Sequence, residues 1–171
     1  MPAHTPEWTS NLERIASFLK SIGIPVTEGP VAPSALLPGV DIVDGGIVYD
    51  RDRLTWPGDL LHEAGHIAVI PAALRPRLGG KLGEDVMAER AGEAEATAWA
   101  WAALVAIGLD PKVLFHEGGY QGRSPDLAFS YSMGSYPGAG GLIANGMALP
   151  ASDAAKRALP PYPHLIRWLR E

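Results

Sequence analysis

Two histidines four residues apart with a glutamate beside the first, in the run His62-Glu63-Ala64-Gly65-His66, are the residues of this chain best suited to do chemistry. On a helix, positions four apart differ by about 40° of rotation, so both imidazoles leave one face a turn apart and can grip a single metal ion. Glu63 lies about 100° further round. From there a carboxylate can reach a water held by the ion, take its proton during attack and pass it to a leaving group. The ion would acidify that water and polarise a substrate carbonyl. The chain has no cysteine, so thiolate ligation is excluded and the donors must be His, Asp or Glu. Zn2+ is the expected ion.

Such a five-residue pattern arises by accident on the order of once in a few hundred chains of this length. Here it is interleaved with Leu60, Leu61, Ala64, Ile67 and Ala68, the apolar residues a packed helix needs. A catalytic zinc site takes three protein ligands and keeps a fourth position open. Candidates for the third are Glu89, Glu93 and Glu95, on an Ala-rich stretch expected to form a helix from about Glu84 to Ile107 and closed by Gly108 and Pro111. Glu93 and Glu95 point about 200° apart and cannot both face one ion. Glu95 shares a stripe with Ala88, Ala91, Ala98 and Ala102, whose small side chains would admit a second helix closely. Glu93 shares its face with Glu89 and lies beside Leu104 and Ile107. Glu95 is therefore the expected third ligand, and Glu89 and Glu93 are expected on a solvated acidic face.

The elements that must position these residues are marked in the sequence. Trp8, Leu12, Ile15, Leu19 and Ile22 recur at spacings of four and three on one helical stripe, with Thr5 as cap, Pro6 at the first position, and Gly23 and Pro25 at the end. Residues 25 to 39 read as a Pro- and Gly-rich loop. Residues 40 to 50 read as two short strands about an Asp44-Gly45-Gly46 turn. Trp56-Pro57-Gly58 opens the histidine helix, with Asp59 in its first turn, and Pro71 ends it. Arg75 to Gly83 reads as a loop. Residues 115 to 150, dense in Gly, Ser and Tyr, have no readable periodicity, and the tail from Pro160 is expected to end in a short helix. The fold expected is α+β: one domain over residues 1–171, with a small sheet packed on the histidine helix and a second, Ala-rich ligand helix.

Hairpin, His-Glu-x-x-His helix, loop, and then a helix reading Glu95-Ala-Thr-Ala-Trp-Ala together resemble the ImmA/IrrE-type metallopeptidases, a zincin-like group, over roughly residues 40 to 107. In that family a Glu-Ala-Asn-x-Phe-Ala-like pattern supplies the third ligand, which maps onto Glu95. Thr97 stands where the family has Asn or Asp, Trp99 replaces Phe, and the Leu-Leu-x-Pro stretch becomes Leu104-Val-Ala-Ile-Gly-Leu-Asp-Pro111. The resemblance implies a gluzincin-like zinc peptidase acting on peptide or protein substrates, regulatory proteins among them.

Stabilising an oxyanion usually takes a Tyr, His or Arg from outside the ligand helices. His116, Tyr120, Arg123, Tyr131 and Tyr136 are available, and Tyr131 with Tyr136 is the pair expected, because the stretch Gly134 to Gly146 would make a cleft wall. The strand Gly46 to Asp50 would present an edge to an extended peptide. His4 and His164 have no ligand spacing.

At 171 residues the chain has the size of one domain. Its 47% apolar and 19% charged residues are those of a folding chain. Fourteen Lys and Arg against nineteen Asp and Glu, with no basic run, argue against direct nucleic-acid binding. No segment reads as a secretion signal or membrane span, so a cytoplasmic protein is expected. Two rivals share the same residues: a zinc-binding regulatory or interaction module without catalysis, and a zinc hydrolase of a non-peptide amide or ester.

Overall fold

The computed structural model describes residues 4–79 and 92–171. Helix α1 (Pro6–Ser21) begins where Thr5 accepts a hydrogen bond from the Trp8 amide. It buries Leu12, Ile15 and Leu19 completely, each contributing about 2–3 kcal/mol of apolar transfer energy. Gly23 follows in the left-handed region. Three of the five stripe residues therefore form the buried seam, with Trp8 and Ile22 packed at its margins.

Strands β2 (Val40–Val43) and β3 (Gly46–Tyr49) form the expected antiparallel hairpin, with Val43 opposite Gly46. Asp44 and Gly45 both have positive φ, as a two-residue turn matched to strand twist requires. The stretch 25 to 39 is not wholly loop. Val26–Glu28 forms β1, which pairs parallel to β3 and makes it the middle strand of the order β1-β3-β2. A three-residue strand is too short to show alternation, so its pairing is visible only in three dimensions. The expectation of a free edge on Gly46 to Asp50 fails for the same reason: β3 is bonded on both sides.

The histidine helix α2 (Asp59–Val69) follows Gly58 and ends at Ile70, before Pro71. It is buried along most of its length and packs against β2, β3 and α1. A 3-10 turn, Ala72–Arg77, leads away from it. Helix α3 (Glu93–Ile107) ends on left-handed Gly108. The expected start near Glu84, together with Ala88, Glu89 and Ala91, lies outside the described residues. Helix α4 (Pro111–Leu114) precedes the unreadable stretch, which proves partly helical in short pieces: a 3-10 turn at Tyr120–Gly122, α5 (Ser124–Ser132) and α6 (Ala139–Ala144). Helix α7 (Ala151–Lys156) follows.

The tail is not helical. Pro160, Pro161 and Pro163 supply no amide donors, and the main chain bonds elsewhere, from Ile166 to the Met147 carbonyl (2.9 Å) and from Arg170 to the Ala68 carbonyl (2.9 Å). The Arg75 guanidinium donates to the carbonyls of Ile67 (3.3 Å) and Arg170, pinning the tail to the end of α2. Helices and one small sheet share a continuous core, an α+β arrangement. Among the described residues no helix is long and apolar enough to cross a membrane.

Candidate metal centre

His62 and His66 leave α2 on one face, as their spacing requires, with their Nε2 atoms 3.2 Å apart. Glu93, the first residue of α3, completes the group: Oε2 lies 3.3 Å from His62 Nε2 and Oε1 lies 3.1 Å from His66 Nε2. A tetrahedral ion with bonds of about 2.0–2.1 Å spaces its donors about 3.3–3.4 Å apart. The two imidazole nitrogens already stand at nearly that separation, and each faces a different oxygen of the Glu93 carboxylate. His66 is almost fully buried and His62 largely so, whereas the Glu93 side chain is 73% exposed. The group can hold a metal ion.

Glu93, not Glu95, is brought to the histidines, which corrects the expected ligand. The rotation argument holds, because the two carboxylates do point apart. What misleads is the stripe of small residues. Close approach between α2 and α3 occurs at Gly65, where a Cβ would lie 2.4 Å from the Ala96 carbonyl oxygen. Ala96 is three residues beyond Glu93, on the neighbouring face. The face of Glu95 and Ala98 instead receives Gly-rich α6 and the tail: a Cβ at Gly141 would fall 2.2 Å from Glu95 Oε1, and the Tyr162 hydroxyl donates to the Ala98 carbonyl (2.8 Å). The small residues do admit a close neighbour, but a different one.

Electrostatics fit a cationic centre. Hydrogen bonds to His62 and His66 hold the Glu93 carboxyl well below the usual carboxylate range. Burial pulls His62 down, but bonding to Glu93 and the charges of Glu63, Glu93 and Asp59 outweigh it and leave it raised. Glu63 is raised chiefly by burial, against the lowering influence of both histidines. Burial disfavours the charged form and so lifts the carboxylate's proton affinity.

A cavity of about 770 Å³ opens on this centre, lined there by His62, Glu63, His66 and Glu93. Its outer wall includes Leu36, Leu37, Leu127 and Pro137, with Arg123 at hand. The region after Phe115 lines this space instead of sealing it. Tyr131 reaches the wall with its ring, but its hydroxyl donates to the Pro137 carbonyl. Tyr136 stays outside the cavity lining, packed between Tyr131 and Tyr162. Neither expected tyrosine therefore offers a free donor at the centre.

Tyr120 does. Its ring stands edge-on to His62, 5.2 Å between centroids, and its buried hydroxyl has no hydrogen-bond partner of normal geometry among the described residues. The nearby Thr97 hydroxyl donates its proton to the Glu93 carbonyl (2.7 Å). Burial raises the phenol far above its ordinary value, so it remains a proton donor. Tyr120 and Gln121 both have φ of 53°, a left-handed conformation costing about 1–2 kcal/mol for each such residue. The visible signal was the tight run Gly118-Gly119-Tyr120-Gln121-Gly122. Of the remaining histidines, His116 bonds Asp59, His4 bonds the Arg51 carbonyl (2.8 Å), and His164 lies in the tail.

No protein-family model matches the chain, and comparison with curated proteins and with solved structures finds no match.

Proposed function

We propose that this chain is a zinc-dependent hydrolase, and that its substrate is a peptide or protein. The observation that carries this reading is the group of two imidazoles and one carboxylate, with N···N and N···O contacts of 3.1–3.3 Å, formed by His62, His66 and Glu93 beside Glu63 and facing a cavity. Two imidazoles and one carboxylate are the donor set of hydrolytic zinc, three ligands with room for a fourth. The fit supports zinc over Mg2+ or Ca2+, which prefer oxygen donors. The likeness to zincin-like ImmA/IrrE-type peptidases belongs to this proposal, with its Glu ligand moved from Glu95 to Glu93.

Zinc held there would supply Lewis acidity and an acidified water. The chain's own groups do the rest. Glu63 accepts the proton released during attack and delivers it to the departing amine. The Tyr120 hydroxyl donates to the carbonyl oxygen as negative charge gathers on it. The apolar wall at Leu36, Leu37 and Leu127 receives an apolar side chain. An open cavity supports catalysis over a purely structural zinc site, whose coordination would be closed.

Elemental analysis of purified protein should give one zinc per chain. Glu63→Gln should keep that zinc and lose cleavage of a susceptible peptide. Wild-type turnover by Glu63→Gln would sink the reading.

A further inference from the structure

A pair of buried polar residues outside the metal group has no part in the steps above. Asp59, the first residue of α2, accepts a hydrogen bond from His116 Nε2 at 2.9 Å, and both side chains are buried. The His116 ring also lies flat on Trp56, 4.7 Å between centroids and 11° from parallel. His116 is thus gripped at its edge and its face by the segment that enters the histidine helix. A buried pair of this kind is weak evidence for stability, because well-packed apolar residues would often serve as well. What it does fix is position.

The segment positioned is the one that carries Tyr120. From His116 the chain turns at once: the Gly119 amide bonds back to the His116 carbonyl (3.2 Å), and the Arg123 amide to the Tyr120 carbonyl (3.0 Å). The two intervening glycines lie hard against the gripping rings. A Cβ at Gly118 would fall 2.6 Å from Trp56 Nε1, and one at Gly119 would fall 3.0 Å from His116 Cε1. Two consecutive residues in the left-handed region follow, a conformation that persists only where its surroundings impose it. The metal donors rest on other supports, since α2 and α3 meet directly at Gly65 and Ala96.

We propose that Asp59 and His116 form a positioning clamp that ties the Gly118–Gly122 turn to the start of the histidine helix and so holds Tyr120 against His62 beside the metal group. The clamp acts through Tyr120 and touches no substrate, and its catalytic consequence rests on the hydrolase reading above.

The test uses the zinc-loaded full chain. Tyr120→Phe should lower kcat on the order of 100-fold. His116→Phe, which keeps a ring on Trp56 and removes the hydrogen bond, should lower kcat about 10- to 100-fold, as misplacing a reacting group does. KM and the one-zinc stoichiometry should hold. In the Tyr120→Phe background the same change should cost less than about 3-fold, because the hydroxyl it positions is gone. His116→Gln, whose amide can still donate to Asp59, should recover part of the loss and serves where His116→Phe folds poorly. Amide hydrogen exchange should quicken in residues 117–122 of the His116 variants and stay unchanged in α2, a readout that needs no turnover. Equal kcat losses in both backgrounds, loss of zinc, or unaltered exchange in 117–122 would overturn the clamp. An active Glu63→Gln would defeat the hydrolase reading while leaving the exchange result standing.

Discussion

Helix α3 carries two glutamates two residues apart that lead opposite lives. On one side Glu93, exposed, reaches across to His62 and His66 and is held ionised by them. On the other, half-buried Glu95 lies along the glycines of α6, its carboxylate where a Cβ of Gly141 would be. Residue type is identical and the local sequence nearly so. The difference comes from what packs on each side, an α2 that brings imidazoles and an α6 that brings only space. A stripe of small residues reports that something comes close, and says nothing of what it is.

The largest effect expected from this contrast is on metal affinity. Glu93→Ala should weaken zinc binding on the order of 100-fold or more, beyond what loss of a group behind a ligand typically costs, while Glu95→Ala should leave it unchanged. Competition against a chromogenic chelator reads both. Zinc lost from Glu95→Ala and retained by Glu93→Ala would reverse the assignment.

A smaller effect should follow at the contact between the two ligand helices. Gly65→Ala would place a Cβ 2.4 Å from a main-chain oxygen of α3, which no side-chain rotation can relieve. Overpacking of this kind costs about 1–3 kcal/mol, offset in part by roughly 1 kcal/mol from the better helix propensity of Ala. Denaturant unfolding should show the net loss, and zinc affinity should fall with it, because separating α2 from α3 draws Glu93 away from the histidines. An unchanged zinc affinity in a destabilised Gly65→Ala would show that Glu93 is not held by this contact.

The sequence shows most clearly what is local. The spacing of His62, Glu63 and His66 carries its geometry within one helical turn, and the stripe Leu12, Ile15, Leu19 needs only the helix period. The hairpin is legible because Asp44-Gly45 fixes a turn between adjacent strands. Features that depend on distant partners are not: β1 exists because β3 runs beside it, and the choice of Glu93 depends on which helix covers which face of α3. Tyr120 falls between these cases. Its glycine-flanked run marks an unusual turn, but its direction is set by Asp59 and His116, distant in sequence. Tyr131 and Tyr136 lie in an equally Gly-rich stretch, where packing against Trp101, Phe115 and Tyr162 absorbs them.

The smallest effect lies on the α6 side and sharpens the contrast most. Gly141→Ala adds a Cβ whose nearest neighbours are the Glu95 Oε1, Cδ and Cγ at 2.2–2.6 Å, all on a flexible side chain. Glu95 can swing aside, so the cost of the clash should roughly cancel the gain of up to about 1 kcal/mol from replacing Gly within a helix. In Glu95→Ala the obstacle is gone, and Gly141→Ala should then stabilise by about 0.5–1 kcal/mol, leaving a coupling of similar size between the two positions. Zinc affinity should not move in either background. If Gly141→Ala alone weakened zinc binding, displacement of Glu95 would be felt at the metal centre, and the two faces of α3 would not be independent.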